Sequence, residues 1–431
     1  MMERNTSLIL LVLLVLLNGC FLFEVDGSRT QGKYELIERR KSYEQTSSKP
    51  NLELPLRSAF DIGDVQYIVT MNVGTPPQEF FMSLSTCSVL SWIKCRNQCR
   101  NCSSEKESPD KRFYQPNKSR SFRTVPCSSS FCTSDLIPAK ANEVCPTPDA
   151  PCRYDHYRRD GTKLFGTIGN DTVTIRTKSN QKVILENITI GCTEKIKSKI
   201  PQPLDGLLGL AAERQSFAAK ALRQTRTTSF SYCLVDYLTP INVSGYLVFG
   251  GDNQLPNMQE TDLLIGHYTW STCYHLNVSG ISVDGKMLDI PSDTWIYNPD
   301  GEYGGVMLEV GNPLTSFAAP VYDKLIQGLL PFISKFKKVK GKVLEHCFNS
   351  TGFNETLVPK LAIHFGNGAK FEPPVRNYVI NQHQDVKCLA FSRFDKLEVS
   401  MIGNILQQNY LWEFDVLNDK LRFAPSTCTS D

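Results

Sequence analysis

One pattern occurs twice in the chain, once in each half. Segment 80–92 (FFMSLSTCSVLSW) is a strand-like apolar run, followed by a polar turn and a second short apolar run. Segment 305–317 (GVMLEVGNPLTSF) has the same order. Each has a later apolar partner that contains glycine, LDGLLGLA at 204–211 and VSMIGNILQQ at 399–408. Self-similarity at so long a period predicts two lobes built on one plan.

The remaining pattern is that of short strands and turns. Residues 67–85 contain two strand-like runs around a Gly-Thr-Pro-Pro turn, which indicates a hairpin, and strand-like runs follow at 171–176, 183–190 and 245–249. Helical spacing of apolar residues is clear only at 319–334. The chain has 24 Pro, 27 Gly and 10% aromatic residues, and we therefore predict a mostly β protein with few short helices.

The N-terminus has the order of a secretory signal. Arg4 precedes an apolar run from Leu8 to Leu17, and small and polar residues follow. The run is shorter than the ~20 apolar residues that cross a bilayer, so a cleaved signal over 1–27 is favoured over a membrane anchor. Residues 28–60 are polar and charged and are predicted to be a leader or flexible arm.

The division of the 431 residues follows from the repeat. At ~150 residues per domain, a chain of this length has two or three domains. We predict an N-terminal lobe over 61–250, which carries a cysteine-rich insertion, and a C-terminal lobe over 251–431.

Sequons and cysteines both indicate a secreted protein. The chain has 15 cysteines, of which Cys20 lies in the signal, and an even number in an oxidising compartment favours disulfides. The spacing of Cys95, Cys99 and Cys102 resembles half a zinc site, but no matching pair follows, so no metal is expected. The predicted glycosylation sites are the eight Asn-x-Ser/Thr sequons at Asn101, Asn117, Asn170, Asn187, Asn242, Asn277, Asn349 and Asn354.

The charge balance gives no sign of a polyanionic partner. Lys and Arg number 47 and Asp and Glu number 44, which leaves a formal charge of +3 that we take as spread along the chain. Nucleic-acid binding is therefore not expected.

Several motifs, in the same order, carry a family resemblance. From about Tyr67 to Cys428 the chain resembles the pepsin-like aspartic peptidases, and within them the cysteine-rich plant branch of nepenthesin-type enzymes and non-cutting xylanase inhibitors. The resemblance implies a bilobal β fold with a central cleft, and a disulfide set that accounts for 12 cysteines and leaves Cys87 and Cys273 as extras. The motifs are VGTPPQEFF, Trp92 with Cys95, DGLLGL, SFSYCLV at 229–235, GISVDGKML at 280–288, CLAF at 388–391, IGNILQQNY at 402–410 and FDVLNDKLRFAPSTC ending at Cys428.

The resemblance also implies which positions would be catalytic. In the family each lobe supplies one Asp from an Asp-Thr/Ser-Gly-Ser/Thr loop, and the two carboxylates share one proton and activate a water. Here the first loop is Ser85-Thr86-Cys87-Ser88 and the second is Glu309-Val310-Gly311-Asn312. Both aspartate positions, Ser85 and Glu309, are thus substituted, and loss of one positioned acid or base typically removes ~10²–10⁴ in rate.

The other residues of the two loops are expected to line the site, namely Thr86, Cys87, Ser88, Gly311 and Asn312. The position of the family's flap tyrosine is occupied by Arg158 or, if the register is shifted by one residue, by Tyr157. Arg158 is also a candidate ion-pair partner for Glu309. Cys87 is a candidate thiol nucleophile, but a small buried thiol or a disulfide to Cys273 is favoured.

Two functions are compatible with the sequence. The favoured one is a secreted, catalytically impaired pseudo-peptidase that binds a peptide or protein in its cleft, or a secreted enzyme on its surface, as an inhibitor does. The alternative is an aspartic-type endopeptidase that uses Glu309 alone. We expect no cofactor, no membrane attachment after signal cleavage, a monomer, and a location in the apoplast or cell wall, with the vacuole as the alternative.

Overall fold

The computed structural model describes residues 52–96, 112–135, 145–157, 162–176, 181–197, 204–250, 255–265, 272–297, 304–383, 385–395 and 399–429. The predicted signal 1–27 and most of the predicted arm lie outside these residues. In the described part the chain is mostly β, as predicted, and forms two related lobes. No helix in these ranges is long and apolar enough to span a membrane.

Strands make up most of both lobes. In the first half they are β1 Leu52–Ser58, β2 Tyr67–Val73, β3 Gln78–Ser85, β4 Trp92–Lys94, β5 Arg123–Thr124, β6 Arg153–Tyr157, β7 Lys163–Arg176, β8 Lys182–Lys197, β9 Gly206–Gly209, β10 Ser229–Cys233 and β11 Gly245–Phe249. In the second half they are β12 Gln259–Leu264, β13 Tyr274–Leu276, β14 Val278–Val283, β15 Lys286–Met287, β16 Val306–Leu308, β17 Thr315–Ala318, β18 Lys338–Val339, β19 Cys347–Asn349, β20 Leu361–Phe365, β21 Lys370–Phe371, β22 Val379–His383, β23 Val386–Leu389, β24 Phe391–Phe394, β25 Ser400–Ile402, β26 Tyr410–Asp415 and β27 Lys420–Pro425.

Three α-helices are described, and the two longer ones have a local cause. Helix α1 (Phe217–Thr225) begins at Ser216, whose hydroxyl accepts the Ala219 N–H. Helix α2 (Ala319–Ile333) has a Pro in its first turn and buries one apolar face against β17 and β24, which confirms the helix predicted at 319–334. Helix α3 (Asn404–Gln407) is a single short turn.

A six-stranded antiparallel sheet joins the lobes. Its order is β1, β11, β10, β26, β27 and β12, so each lobe contributes three strands. At its centre Phe230 of β10 stacks on Phe414 of β26, with ring centroids 4.8 Å apart. The two lobes therefore share one continuous apolar core beneath the cleft.

Strand β1 corrects the prediction for residues 28–60. Residues 52–58 are not part of a flexible arm, because they pair with β11 on one side and β2 on the other. Leu52, Leu54 and Leu56 alternate with more exposed residues and are buried in the core. This alternation is the signature of a half-buried strand, and the charged residues around it concealed it.

The repeat seen in the sequence is confirmed as a pseudo-two-fold relation. Strand β3 runs parallel to β9, and in the other lobe β16 runs parallel to β25. In both lobes the second strand also pairs antiparallel with a further strand, β9 with β4 and β25 with β17. Each half therefore builds the same small parallel unit, whose carboxyl end points into the cleft.

Disulfides account for twelve cysteines of the described residues. Cys87, which the resemblance left as an extra, is bonded to Cys273. The other bridges are Cys95–Cys192, Cys127–Cys145, Cys132–Cys152, Cys233–Cys428 and Cys347–Cys388. Cys99 and Cys102, of the zinc alternative, lie outside the described residues, and Cys95 is disulfide-bonded.

The predicted glycosylation sites differ in accessibility. Asn170 is half-buried within β7, between β5 and β8, and its side-chain oxygen accepts a hydrogen bond from Thr189. Asn277 and Asn349 are half-buried as well, and Asn101 lies outside the described residues. The exposed sequons are Asn117, Asn187, Asn242 and Asn354.

Candidate functional site

The first loop of the site begins where β3 ends. Ser85 is the last residue of β3 and lies opposite Gly209 in the parallel pair with β9. The hairpin of β2 and β3 fixes this strand, and Gly74 makes the turn with a φ of +92°. A Cβ atom at Gly74 would lie 2.9 Å from the Ser119 hydroxyl, so glycine is required there.

The second loop begins in the equivalent place of the other lobe. Glu309 follows directly after β16, and its amide donates to the carbonyl of Ile402 at the end of β25. Ser85 and Glu309 are both buried, with 4% and 6% of their surfaces exposed. The structure thus brings the two predicted catalytic positions together at the pseudo-two-fold axis.

The two side chains are directly hydrogen-bonded. The Ser85 hydroxyl donates to Oε2 of Glu309 at 3.2 Å. The same hydroxyl oxygen accepts the amide N–H groups of Cys87 at 3.2 Å and Ser88 at 3.1 Å. Its proton and its lone pairs are therefore all engaged, which leaves it a poor nucleophile and a poor base.

The carboxyl group of Glu309 is held equally tightly. Its Oε1 accepts the Gly311 amide at 2.5 Å. A Cβ atom on Gly311 would lie 2.5 Å from that oxygen and 2.6 Å from the carbonyl oxygen of Leu84, so only glycine fits at this position. The longer side chain of glutamate thus turns back onto its own loop.

Burial decides the protonation state of Glu309. Removal from water disfavours the charged carboxylate and raises its pKa from 4.5 to about 7, although the hydrogen bonds from Gly311 and Ser85 lower it in part. Below pH 7 the group is therefore mostly protonated. An acidic solution then has neither an anionic base nor a shared proton at this centre.

Thr86 links the two loops across the lobes. Its hydroxyl donates to the carbonyl of Leu308 at 2.7 Å and accepts the amide of Val310 at 3.1 Å. Val310 stands at the two-fold equivalent of Thr86 and has no hydroxyl with which to make the reciprocal bonds. The polar link between the loops is therefore one-sided.

A covalent bond also joins the lobes at this point. Cys87, in the first loop, is bonded to Cys273, which precedes β13 of the C-terminal lobe. The Thr272 hydroxyl donates to the Cys87 carbonyl at 2.6 Å and supports the same junction. Of the alternatives open for Cys87, the disulfide is the observed one, and a bonded sulfur is not a nucleophile.

The remaining predicted binding residues divide into two groups. The Ser88 hydroxyl donates to the Leu90 carbonyl, and the Asn312 amide donates to the Leu314 carbonyl, so both side chains support their own loops. The side chain of Tyr157 and the whole of Arg158 lie outside what the structure describes, as does the predicted ion pair of Arg158 with Glu309.

One supporting residue escaped the sequence analysis. Asn404, at the start of α3, is buried and donates to the carbonyl of Val310 at 3.0 Å, which holds the second loop from behind. It lies in the segment VSMIGNILQQ at 399–408, and the part of that segment in the internal repeat was the available signal.

A metal site is not supported among the described cysteines. The sulfur atoms of Cys127, Cys132 and Cys145 lie within 4.8 Å of one another, but each belongs to a disulfide and has no thiolate to offer.

Comparisons with known proteins find matches to both lobes of the chain. The family profiles described as "Xylanase inhibitor N-terminal" and "Xylanase inhibitor C-terminal" match residues 67–251 and 273–425. The aspartic proteinase nepenthesin-1 of Nepenthes gracilis is 28% identical over 417 residues, which cover 94% of this chain and 89% of the relative. The protein ASPARTIC PROTEASE IN GUARD CELL 2 of Arabidopsis thaliana is 27% identical, over 86% of this chain and 74% of its own.

Solved structures share the fold. The crystal structure titled edgp superposes with a TM-score of 0.70 at 17% identity and covers 89% of this chain and 97% of its own. Soybean basic 7S globulin superposes with a TM-score of 0.68 at 16% identity and covers 88% and 98%.

Proposed function

We propose that this chain, which belongs to the pepsin-like aspartic peptidase family and to its xylanase-inhibitor-like branch, is a secreted pseudo-peptidase that acts by binding a protein or peptide. The partner is a peptide or protein in the cleft, or a secreted enzyme on the surface. The protein acts as a monomer outside the cell, in the apoplast or cell wall.

The direct bond between Ser85 and Glu309 carries this proposal. Pepsin-like catalysis requires a water between two carboxylates that share a proton, so that one acts as base while the other acts as acid. Here a hydroxyl replaces one carboxylate and lies 3.2 Å from the other. The spacing is close to the ~3 Å of the family's acid pair, but only one acidic group remains, so no proton can be shared between two carboxyl groups.

The alternative function, an endopeptidase that uses Glu309 as its only base, is disfavoured for a second reason. A base must be ionised, and burial raises the pKa of Glu309 to about 7. Such an enzyme would be weakest in acid, where the paired aspartates of this family operate. The hydroxyl of Ser85 does not replace the missing acid, because its proton is already donated to Glu309.

The retained framework supports a binding role. The sheet between the lobes, both parallel units and the interlobe disulfide preserve the cleft, although both acidic positions have changed. The family profiles are named for xylanase inhibitors, which favours an inhibitor-like form of binding. Fold analogy alone does not identify the partner.

Peptide digestion separates the two functions. A peptide library is incubated from pH 3 to 8 with the wild-type protein, with Glu309→Gln, and with the double variant Ser85→Asp, Glu309→Asp. We expect no cleavage by the first two, and any cleavage gained by the double variant would assign the loss of activity to these positions. Cleavage by the wild type that disappears in Glu309→Gln would overturn the proposal.

A titration tests the inhibitor-like form. Purified xylanases and other secreted glycoside hydrolases are assayed with increasing amounts of the protein. An inhibitor is expected to abolish the activity of its target near a one-to-one ratio. If every enzyme in the panel stays unaffected, the inhibitor-like form is rejected and the peptide or protein ligand of the cleft is sought by co-purification from extracellular fluid.

A further inference from the structure

Five lysines lie within eight residues after helix α2. Residues 335–342 read KFKKVKGK, and Lys335, Lys337, Lys338, Lys340 and Lys342 are all exposed. Between 335 and 346 the chain has only one carboxylate, Glu345. This segment, the lysine loop, corrects the expectation that positive charge is spread evenly along the chain.

Carboxylates of the described residues do not neutralise the charge of the lysine loop. Lys337, Lys338, Lys340 and Lys342 form no ion pair with any carboxylate of the described residues, and Lys335 contacts the ring of Phe332. Several other cations of this lobe are paired with acids. Lys370 pairs with Glu372 at 3.0 Å, Lys420 with Asp262 at 2.6 Å, and Arg393 with Asp323 and Asp395.

The small sheet under the loop adds a sixth lysine. Lys338 on the edge strand β18 lies opposite Phe348 of β19, which lies opposite Lys387 of β23. Lys338 and Lys387 therefore flank Phe348 on one face, at about 10 Å from each other, the width of two strand spacings. The Lys387 ammonium donates to Asn381 at 2.8 Å, which fixes its position.

Protection of a sheet edge explains only part of this pattern. Edge strands often carry a lysine that prevents association with other strands. However, β18 contains only Lys338 and Val339, and the Lys337 carbonyl also accepts a hydrogen bond from the Asn349 amide, so three of the five lysines lie outside the hydrogen-bonded ladder. Residues two apart in an extended chain lie about 7 Å from each other, so Lys338 and Lys340 present a row of positive charge.

We infer that the lysine loop binds a linear polysaccharide that carries carboxylates, of the uronic-acid class. The loop contains no arginine, and its side chains act as point charges, which suit a repeated carboxylate without the bidentate geometry that favours arginine. Nucleic acid is disfavoured, because base stacking needs exposed aromatic rings, whereas Phe332 and Phe348 are buried and Phe336 and Phe353 are half-buried. Anionic membrane lipids face the cytoplasm, and this choice of partner rests on the secretion assumed in the proposed function.

Binding to polygalacturonate tests the inference. The full-length secreted protein is passed at pH 5.5 over immobilised polygalacturonic acid and over fully methyl-esterified pectin, which has the same backbone without charge. We expect binding to the first polymer only. Raising the salt from 0.1 M to 1 M shortens the screening length from ~10 Å to ~3 Å and is expected to weaken binding at least tenfold.

Two charge-matched variants locate the site. The variant Lys337→Gln, Lys338→Gln, Lys340→Gln, Lys342→Gln is expected to bind at least tenfold more weakly. The control Lys118→Gln, Lys182→Gln, Lys195→Gln, Lys286→Gln removes the same charge from scattered exposed positions and is expected to stay within twofold of the wild type. Arginine at the four loop positions is expected to preserve binding.

Several results would overturn the inference. These are equal loss in both glutamine variants, equal binding of the esterified polymer, or tighter binding of an oligonucleotide or of anionic vesicles that is lost in the loop variant alone. The peptide-library digestion is run on the same loop variant. Since it reports on Ser85 and Glu309 only, failure of polysaccharide binding and failure of the proposed function are distinguishable.

Discussion

The hydroxyl oxygen of Ser85 and the Oε2 oxygen of Glu309 lie 3.2 Å apart, and each is carried by a different lobe. Their loops come from equivalent ends of two parallel strand pairs, β3 with β9 and β16 with β25. The backbone that positions a pair of acids in this family has therefore been kept, while the side chains of Ser85 and Glu309 form a single hydrogen bond. The site is more consistent with a structural junction between the lobes than with a reaction centre.

Replacing Glu309 by Gln is expected to change how stability depends on pH. The pKa of Glu309 is raised in the folded protein from 4.5 to about 7, so its contribution to stability is complete below pH 4.5 and is lost as the pH rises through 7. Glutamine does not titrate. Between pH 5 and 8 the wild type should lose about 2–3 kcal/mol of unfolding free energy relative to Glu309→Gln, as measured by urea denaturation.

The buried His275 provides a check on that comparison. Burial lowers its pKa to about 4, so its protonation destabilises the fold as the pH falls from 6.5 towards 4. This effect is present in both proteins and cancels in the difference. A difference that stays constant from pH 5 to 8 would show that Glu309 is already ionised in the folded state.

Replacing Thr86 by Val is expected to weaken the contact between the lobes. The change removes one donor and one acceptor and leaves the Leu308 carbonyl and the Val310 amide without the hydroxyl that bonds them. Because Thr86 is fully buried, we expect a loss of about 2 kcal/mol in unfolding free energy. Thr86→Ser keeps the hydroxyl and should lose less than half as much, whereas equal losses would assign the effect to packing.

Removing the interlobe disulfide is expected to cost more than removing a local one. Cys87 and Cys273 are separated by 186 residues, and Cys127 and Cys145 by 18. If a disulfide stabilises the fold by lowering the entropy of the unfolded chain, these two bonds contribute about 5 and about 3 kcal/mol to the unfolding free energy. The double variants Cys87→Ser, Cys273→Ser and Cys127→Ser, Cys145→Ser are compared by urea denaturation, and a larger loss in the second would contradict this order.

Glycosylation is expected to follow exposure. The exposed Asn117, Asn187, Asn242 and Asn354 should carry glycans in protein secreted from a eukaryotic host. Asn170 should not, because it lies in a strand paired on both sides and its side chain bonds Thr189. Glycopeptide mass spectrometry measures the occupancy of each site, and a high occupancy at Asn170 would contradict the strand arrangement of this region.

The features predicted well from sequence are those with a local or repeated signal. The repeat predicts the two parallel strand units, and the loop motifs place Ser85 and Glu309 at corresponding positions, where they indeed meet. Apolar spacing predicts helix α2. These patterns are strong because the strand period and the helix period are imposed by backbone geometry.

The features that were missed depend on contacts distant in sequence. The strand character of residues 52–58 requires partners near 68 and 247, and the short alternation of three leucines is hidden among polar neighbours. The direction of the Glu309 side chain depends on the amide of Gly311 and the hydroxyl of Ser85. The lysine loop was overlooked because the net charge of +3 is summed over the whole chain and does not reveal a local excess of lysine over acidic residues.

Strand β1 also limits where the precursor can be trimmed. Its Leu52–Leu56 backbone is hydrogen-bonded to Gly245–Phe249, at one end of the sheet that holds both lobes. A maturing protease that cut within or beyond this strand would withdraw three buried leucines from the sheet. Any removable leader must therefore end before Leu52, where the described chain enters the strand at the opposite end of this sheet from β12.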